Sequence, residues 1–192
     1  TRVTNDFLAN DKAAKTDDKI KGIYVKLGMS QNGWATLQEV KNALIDFKTS
    51  KKFVIAYGEI CDQKSYDVAA AGDQIYINPV GGIEFNGLSI TGTFFKGTID
   101  KLDIKTEAFH CGKYKGAYEP YKLEKFSEPN RYQLSVILSD FYSEFLKTVS
   151  LKTGIDTAAL AKMANEGVVK FPQDALKNKF IDATIFGDSV ES

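Results

Sequence analysis

Short apolar runs rich in β-forming residues mark three strands in the first 80 residues. The runs lie at 21–27, 53–58 and 74–79; the second is typical of a buried parallel strand, and the third is expected to end at Pro79. Helix-like segments separate these runs. Strands that alternate with helices of this length predict an α/β protein with a parallel sheet.

Apolar residues spaced three and four positions apart predict the helices. One helix follows Gly33, and the longest begins at 127–129 and ends at Gly154. The apolar face of the first is formed by Leu37, Val40, Leu44 and Phe47, and the stripe of the longest by Leu134, Val136, Ile137, Leu138, Phe141, Phe145 and Val149. The remaining predictions are helices at 4–18, 66–71 and 94–102, a short β segment between Gly81-Gly82 and Asn86-Gly87, a strand at 106–111, and two short helices around one strand at 156–192.

No linker rich in Pro, Gly or Ser divides the chain, so we predict a single domain over residues 1–192. No apolar run approaches the roughly 20 residues that a membrane span needs. The sequence begins at Thr1 without a signal segment. We therefore expect that the natural N-terminus, together with any membrane anchor, is missing.

Composition argues against several classes of function. The 25 basic and 25 acidic residues balance, and the aromatic residues do not interleave with basic clusters, so a nucleic-acid partner is not predicted. One histidine and two separated cysteines give no metal-ligand spacing, and the two cysteines allow at most one disulfide. No glycine-rich phosphate loop is present. We predict neither a metal nor a cofactor.

The cysteines and the single histidine suggest one weak catalytic hypothesis. His110 and Cys111 are adjacent, so on a strand their side chains would point to opposite faces. Cys61 follows a buried strand, where nucleophiles often sit, and could meet His110 through the fold. A lone cysteine in such a place is more often a small hydrophobic residue.

The segment from Cys111 to Tyr121 is the most informative part of the chain. It is a glycine-bounded loop with tyrosines around Lys113 and Lys115. Two interpretations remain open from the residues alone. The lysines either lie in solvent, or one of them is drawn among the aromatic rings, where burial disfavours the ammonium and gives a neutral amine that can accept a proton.

This segment resembles a motif of the signal peptide peptidase A, or protease IV, family. Residues 112–117 followed by Glu119-Pro120 are similar to the family pattern G-x-Y-K-S-A-x-E-P. The resemblance continues in the same order along the chain from about Lys19 onward. It includes residues 69–79, 85–102, 174–176 and 181–182.

The resemblance implies a ClpP/crotonase-like fold of repeated β-β-α units. It also implies that Lys115 is the catalytic general base of a Ser-Lys dyad, while Lys113 is a surface residue. Long family members consist of two tandem halves, with the lysine in the first half and the nucleophilic serine in the second. Short members have both residues in one domain.

The position that matches the serine of short members is Gln63, and an amide is not a nucleophile. Ser65 lies two residues further on and is a weak substitute. Asp67 stands where the family usually has tyrosine, and residues 31–33 replace a Pro-Gly-Gly turn that helps to form the oxyanion hole. The chain is therefore interpreted as the N-terminal half of a long member, without the C-terminal half and without its own site for the tetrahedral intermediate.

By resemblance, the full-length protein is a serine endopeptidase that degrades cleaved signal peptides. Its expected partners are its own C-terminal half, the signal peptide and further copies of itself. Its expected location is the bacterial inner membrane, with the catalytic domain on the periplasmic side, and the fragment alone is expected to be soluble and inactive. Two alternatives stay open: a non-catalytic crotonase-fold scaffold, and a self-sufficient hydrolase that uses Ser65 or Cys61 with Lys115.

Overall fold

The computed structural model describes residues 2–190, with side chains from residue 6 onward. The strands are β1 (Gly22–Leu27), β2 (Phe53–Cys61), β3 (Gln74–Ile83) and β4 (Ala183–Thr184). The helices are α1 (Arg2–Thr16), α2 (Trp34–Lys48), α3 (Gln63–Ala69), α4 (Lys96–Lys101), α5 (Glu119–Lys122), α6 (Glu128–Thr153), α7 (Thr157–Glu166) and α8 (Pro172–Lys177). Single 3-10 turns are present at Gly116–Tyr118 and Gly187–Ser189. Within the described range, no helix combines the length and the apolar character needed to cross a membrane.

The chain forms two compact units. The first contains the residues up to Gly87 and those from Glu144 onward, and the second is Leu88–Ser143. Helix α6 begins in the second unit and ends in the first. Whether the chain behaves as one domain, as the sequence predicts, is not decided by this division and stays a prediction.

The first unit is built on a parallel sheet with the strand order β1-β2-β3-β4. Parallel neighbours require crossover connections, and here α2 joins β1 to β2 and α3 joins β2 to β3. The central strand β2 is buried along much of its length, as its apolar run predicts. The α/β architecture predicted from the sequence is confirmed.

Strand β3 continues past Pro79, where the sequence predicts its end. The pairing with β2 shifts between Gly58 and Ile60, so that several residues of β3 bulge opposite Glu59. A Cβ on Gly81 would overlap the carbonyl oxygen of Glu59, so the close backbone approach requires glycine. Proline is tolerated at such a bulge because no ladder hydrogen bond is needed there. The separate β segment predicted between Gly81-Gly82 and Asn86-Gly87 is not formed, because β3 itself continues to Ile83 and residues 84–87 are not strand.

Two other predictions differ from the structure. Residues 106–111 are all described, yet they form no strand, because β-forming residues need a partner strand to supply ladder hydrogen bonds. In the C-terminal segment the two helices, α7 and α8, both precede the short strand β4 and do not surround it. In contrast, α6 begins and ends close to the predicted residues, and Gly154 follows it with a φ of +74°.

The hydrophobic core of the first unit has two parts. One contains the predicted face of α2 packed against β2 and α3. Its buried members are Leu37, Leu44, Phe47, Val54, Val68 and Ala71, with Val40 partly buried beside them. The other is aromatic: Tyr66, Phe85, Phe145 and Phe180 form edge and tilted ring contacts, and the hydroxyl of Tyr66 donates to the carbonyl of Phe180 at 2.7 Å. Only the C-terminal end of the apolar stripe of α6 contributes to this core.

A buried ion pair joins α2, α3 and α6. Lys41 is 6% exposed and Asp67 is 3% exposed. The Lys41 ammonium donates to both carboxylate oxygens of Asp67, at 3.0 and 2.9 Å, and to Oγ1 of Thr148 at 2.9 Å. Its three N–H groups therefore each have an acceptor. This contact gives a physical reason for the aspartate at position 67, where the family usually has tyrosine.

We predict that Asp67→Ala destabilises the chain by about 3–5 kcal/mol, because it leaves the Lys41 ammonium buried without its carboxylate. The double variant Lys41→Met with Asp67→Leu should lose less than Asp67→Ala alone, since it leaves no buried charge unpaired. Chemical denaturation monitored by circular dichroism measures the free energy of unfolding of each variant. A double variant at least as unstable as Asp67→Ala would contradict this interpretation.

Candidate active site

Lys115 lies in a short irregular loop of the second unit. The loop turns at Gly112, whose φ of +95° lies in the left-handed region that favours glycine. Lys115 itself has φ −92° and ψ 72°, and it directly precedes the 3-10 turn Gly116–Tyr118 and helix α5. The lysine is thus held at the entrance of a helical segment and not on a regular strand.

The side chains of Lys113 and Lys115 are both exposed in this chain. A neutral lysine amine requires removal from water, because water stabilises the ammonium. The described residues do not bury Lys115, so the dry pocket expected from the sequence is not formed by this chain alone. The assignment of Lys115 as the catalytic lysine stays a prediction.

A buried carboxylate follows the lysine loop, four residues after Lys115. Glu119, the first residue of α5, is 1% exposed. Its Oε2 accepts from the backbone N–H of Ser127 at 3.1 Å and from Nδ2 of Asn130 at 2.9 Å, and its Oε1 accepts from the hydroxyl of Ser127 at 2.5 Å. Burial alone would raise the pKa of Glu119, but these hydrogen bonds outweigh it and hold the pKa below its usual range. Glu119 is therefore an ionised carboxylate with three donors.

The same network reaches the residue after the lysine. Asn130 packs so closely on Gly116 that a Cβ at position 116 would overlap the side-chain amide. Ser127 caps the beginning of α6, because its hydroxyl accepts the backbone N–H of Asn130 at 3.3 Å. The backbone next to Lys115 is thus packed against a side chain that Glu119 fixes.

Aromatic rings support the loop at its two ends. His110 stacks on Tyr118, with ring centroids 4.1 Å apart and an interplanar angle of 10°. Tyr121 stacks on Phe95 at 5.9 Å. Tyr118 and Tyr121 are therefore each held in a ring contact within the second unit.

An apolar groove of about 520 Å³ lies beside the loop. It is lined by Tyr114, Tyr132, Gln133, Val136 and Ile137. Tyr114, the residue before Lys115, is 53% exposed. Val136 and Ile137, from the N-terminal half of the apolar stripe of α6, therefore face this open groove, whereas Leu134 and Leu138 line another pocket together with Ile90 and Phe126.

Gln63, at the position that matches the family's serine, is locked in hydrogen bonds within the first unit. Its Oε1 accepts the backbone N–H groups of Asn86 and Gly87 at 3.2 and 3.1 Å, and its Nε2 donates to the Gly87 carbonyl at 2.6 Å. The side chain is buried, at 7% exposed. Gln63 thus fixes the turn at 86–87, from the position that the resemblance assigns to the nucleophile of short family members.

The two alternative nucleophiles have other contacts. The hydroxyl of Ser65 is buried and donates to the carbonyl of Gly28, and its N–H binds the α3-capping carboxylate of Asp62 at 2.8 Å. Cys61 is fully buried, and burial raises the pKa of its thiol, which disfavours the reactive thiolate. Neither residue has the exposed, base-activated geometry that nucleophilic catalysis needs.

Sequence reasoning missed the network around Glu119. Glu119 was recognised only as part of the motif, and Asn130 was not singled out. A usable signal was present, because Ser127 and Asn130 stand at the spacing of a helix cap and its third helical residue. The burial of Glu119 beneath this cap cannot be read from that spacing.

Comparison with known proteins gives the chain a family. The model for "Peptidase family S49" matches residues 45–191. The serine protease SPPA, chloroplastic, of Arabidopsis thaliana is 31% identical over 155 residues, which is 81% of this chain and 23% of that protein. Protease 4 of Salmonella typhi is 29% identical over 188 residues, which is 94% of this chain and 30% of that protein. The chain thus spans about a quarter to a third of the length of these relatives.

Solved structures show the fold. A peptidase from Plasmodium falciparum has a TM-score of 0.56 at 10% identity, covering 96% of this chain and 90% of that one. A mutant of the 1510-N membrane-bound stomatin-specific protease in complex with a substrate peptide has a TM-score of 0.55 at 14% identity, covering 95% and 68%. The ClpP/crotonase-like fold expected from the sequence is confirmed. With a family model that matches residues 45–191 and relatives named Protease 4 and SPPA, the chain belongs to peptidase family S49.

Proposed function

We propose that this chain is the half of a serine peptidase that supplies the general-base lysine, Lys115, of a Ser-Lys dyad. The observation that carries the proposal is the pairing of two features. The lysine of the motif lies on a loop that packs against Asn130, which is bound by Glu119. At the position that the resemblance assigns to the serine, Gln63 is held by hydrogen bonds to the backbone of Gly87. A chain with this arrangement can provide the base but lacks the nucleophile at the usual position.

In the proposed mechanism, a serine from another part of the longer polypeptide attacks a peptide carbonyl. Lys115, as the neutral amine, accepts the serine proton and then gives it to the departing amine, so that an acyl-enzyme forms and water later releases it. The neutral lysine amine requires that the side chain be shielded from water. We propose that the C-terminal half of the polypeptide supplies both the serine and this shielding, for a lysine that is exposed here.

The proposed substrates are cleaved signal peptides, which are apolar and would bind in extended form. The exposed Tyr114 and the apolar groove beside it give the lysine loop a surface suited to apolar side chains. A relative from Enterococcus faecium, 21% identical over 177 residues, carries the name "Putative signal peptide peptidase SppA". We further propose that the full-length protein forms homo-oligomers at the bacterial inner membrane, with the catalytic domain on the periplasmic side.

Lys115→Ala in the full-length protein should abolish peptidase activity, because no other group takes the serine proton. The matched control Lys113→Ala removes another exposed lysine of the same loop and should keep most of the activity. The measurement is kcat/KM on an apolar peptide substrate. Equal losses in both variants would refute the assignment of Lys115.

The chain by itself should not react with a fluorophosphonate probe, because Ser65 is buried and donates its proton to the Gly28 carbonyl. Iodoacetamide should modify the exposed Cys111 and leave the buried Cys61 unmodified in the folded protein. Mass spectrometry of proteolytic peptides locates both labels.

Fluorophosphonate on Ser65, absent in Ser65→Ala, would instead support the self-sufficient hydrolase. A full-length protein with neither peptidase activity nor a probe-reactive serine would support the scaffold alternative.

A further inference from the structure

The carboxylate of Glu119 is buried and accepts hydrogen bonds only from the start of α6 among the contacts described for it. Burying a carboxylate is costly unless hydrogen bonds compensate it. Here the compensation comes from one short segment, since all three donors belong to Ser127 and Asn130 at the start of α6. The helix N-terminus also carries a partial positive charge that favours an anion. Glu119 therefore ties α5 to the first turn of α6.

The contacts of Glu119 extend through Asn130 to the lysine loop. Asn130 uses its amide to bind Glu119 and the same side chain packs on Gly116, the neighbour of Lys115. The 3-10 turn Gly116–Tyr118 and α5 connect the lysine to Glu119 within four residues. A change in the Glu119 contacts would thus be transmitted to the Lys115 backbone both through the chain and through Asn130.

We infer that Glu119 is a positioning residue for Lys115: by holding Asn130 against Gly116, it fixes the lysine backbone in the orientation from which the amine reaches the serine. This inference rests on the proposed function of Lys115. Proton transfer requires heavy atoms about 2.6–3.2 Å apart, and misplacement by about 1 Å can cost on the order of 100-fold in rate. The loop carries no regular secondary structure before Gly116, so such bracing supplies the rigidity that a strand would otherwise give.

Two substitutions of Glu119 distinguish the effect of its hydrogen bonds from the effect of its charge. Glutamine at position 119 can keep all three contacts. Its carbonyl can accept from the Ser127 N–H and from Asn130, and its amide can donate to the Ser127 hydroxyl, which can reverse its role. Alanine keeps none of them. If Glu119 acted on Lys115 through its charge, Glu119→Gln would be as damaging as Glu119→Ala.

The experiment measures kcat and KM of the full-length enzyme on an apolar peptide substrate, per folded molecule, with folding checked by circular dichroism at the assay temperature. We expect Glu119→Ala to lower kcat by about 10- to 100-fold with KM changed less than about twofold. Glu119→Gln should stay within about threefold of the parent enzyme, since it preserves the hydrogen bonds. The matched control is Glu107→Gln, which removes an exposed carboxylate of the same unit.

Asn130→Ala keeps the inference testable if Glu119→Ala does not fold. It removes the contact with Gly116 but leaves the Ser127 donors on Glu119, and it should lower kcat by about 3- to 10-fold. Unchanged kcat in Asn130→Ala, or in a folded Glu119→Ala, would overturn the inference while leaving the role of Lys115 intact. So would a loss in Glu119→Gln as large as that in Glu119→Ala. Activity that persists in Lys115→Ala would instead overturn the proposed function itself.

Discussion

The parallel pairing of β2 with β1 and β3 is the constraint on which the first unit depends. Parallel neighbours cannot be joined by a tight turn, so each connection has to cross the sheet as a helix. The two crossovers, α2 and α3, pack their apolar faces against the sheet and against each other. Polar residues on the buried faces of these helices must find partners inside the protein. Lys41 and Asp67 satisfy each other as an ion pair, and Gln63 binds the backbone of Gly87.

The second unit is ordered by side-chain contacts and not by a sheet. Its segment from Leu88 to Ser143 contributes no strand to the sheet, and the loop with Lys115 has no ladder hydrogen bonds to hold it. Order is supplied instead by side chains: a stacked histidine and tyrosine at the ends of the loop, and a buried carboxylate that follows it. Many hydrogen bonds on one carboxylate keep that group ionised and immobile. A loop of this kind can present a lysine in a defined direction without burying it.

The position that the resemblance assigns to the serine of short family members has a complete local structure without one. In this chain the first residue of α3 is a glutamine whose amide binds the backbone of the turn at 86–87. The amide satisfies two N–H groups and one carbonyl that would otherwise need water or another partner. The local structure is therefore complete without a nucleophile. This agrees with a half that contributes a base to a site completed elsewhere, as proposed above.

Much of the fold follows from the sequence. Runs of β-forming residues locate β1 and β2, hydrophobic periodicity locates α2 and α6, and the motif around Lys115 indicates the family. The sequence was misleading where local preference competes with the surroundings. Pro79 did not end β3, because a bulge accommodates it, and residues 106–111 formed no strand, because no partner strand is available to them.

The sequence by itself determined the α/β class, the family and the identity of the candidate lysine, because these depend on spacing and residue type. Only the tertiary structure decided that Asp67 is paired with Lys41, that Gln63 holds a turn, and that Glu119 binds Asn130. Each of these contacts depends on burial and on which donor faces which acceptor. Those properties arise between residues that the fold brings together, and a linear pattern does not contain them.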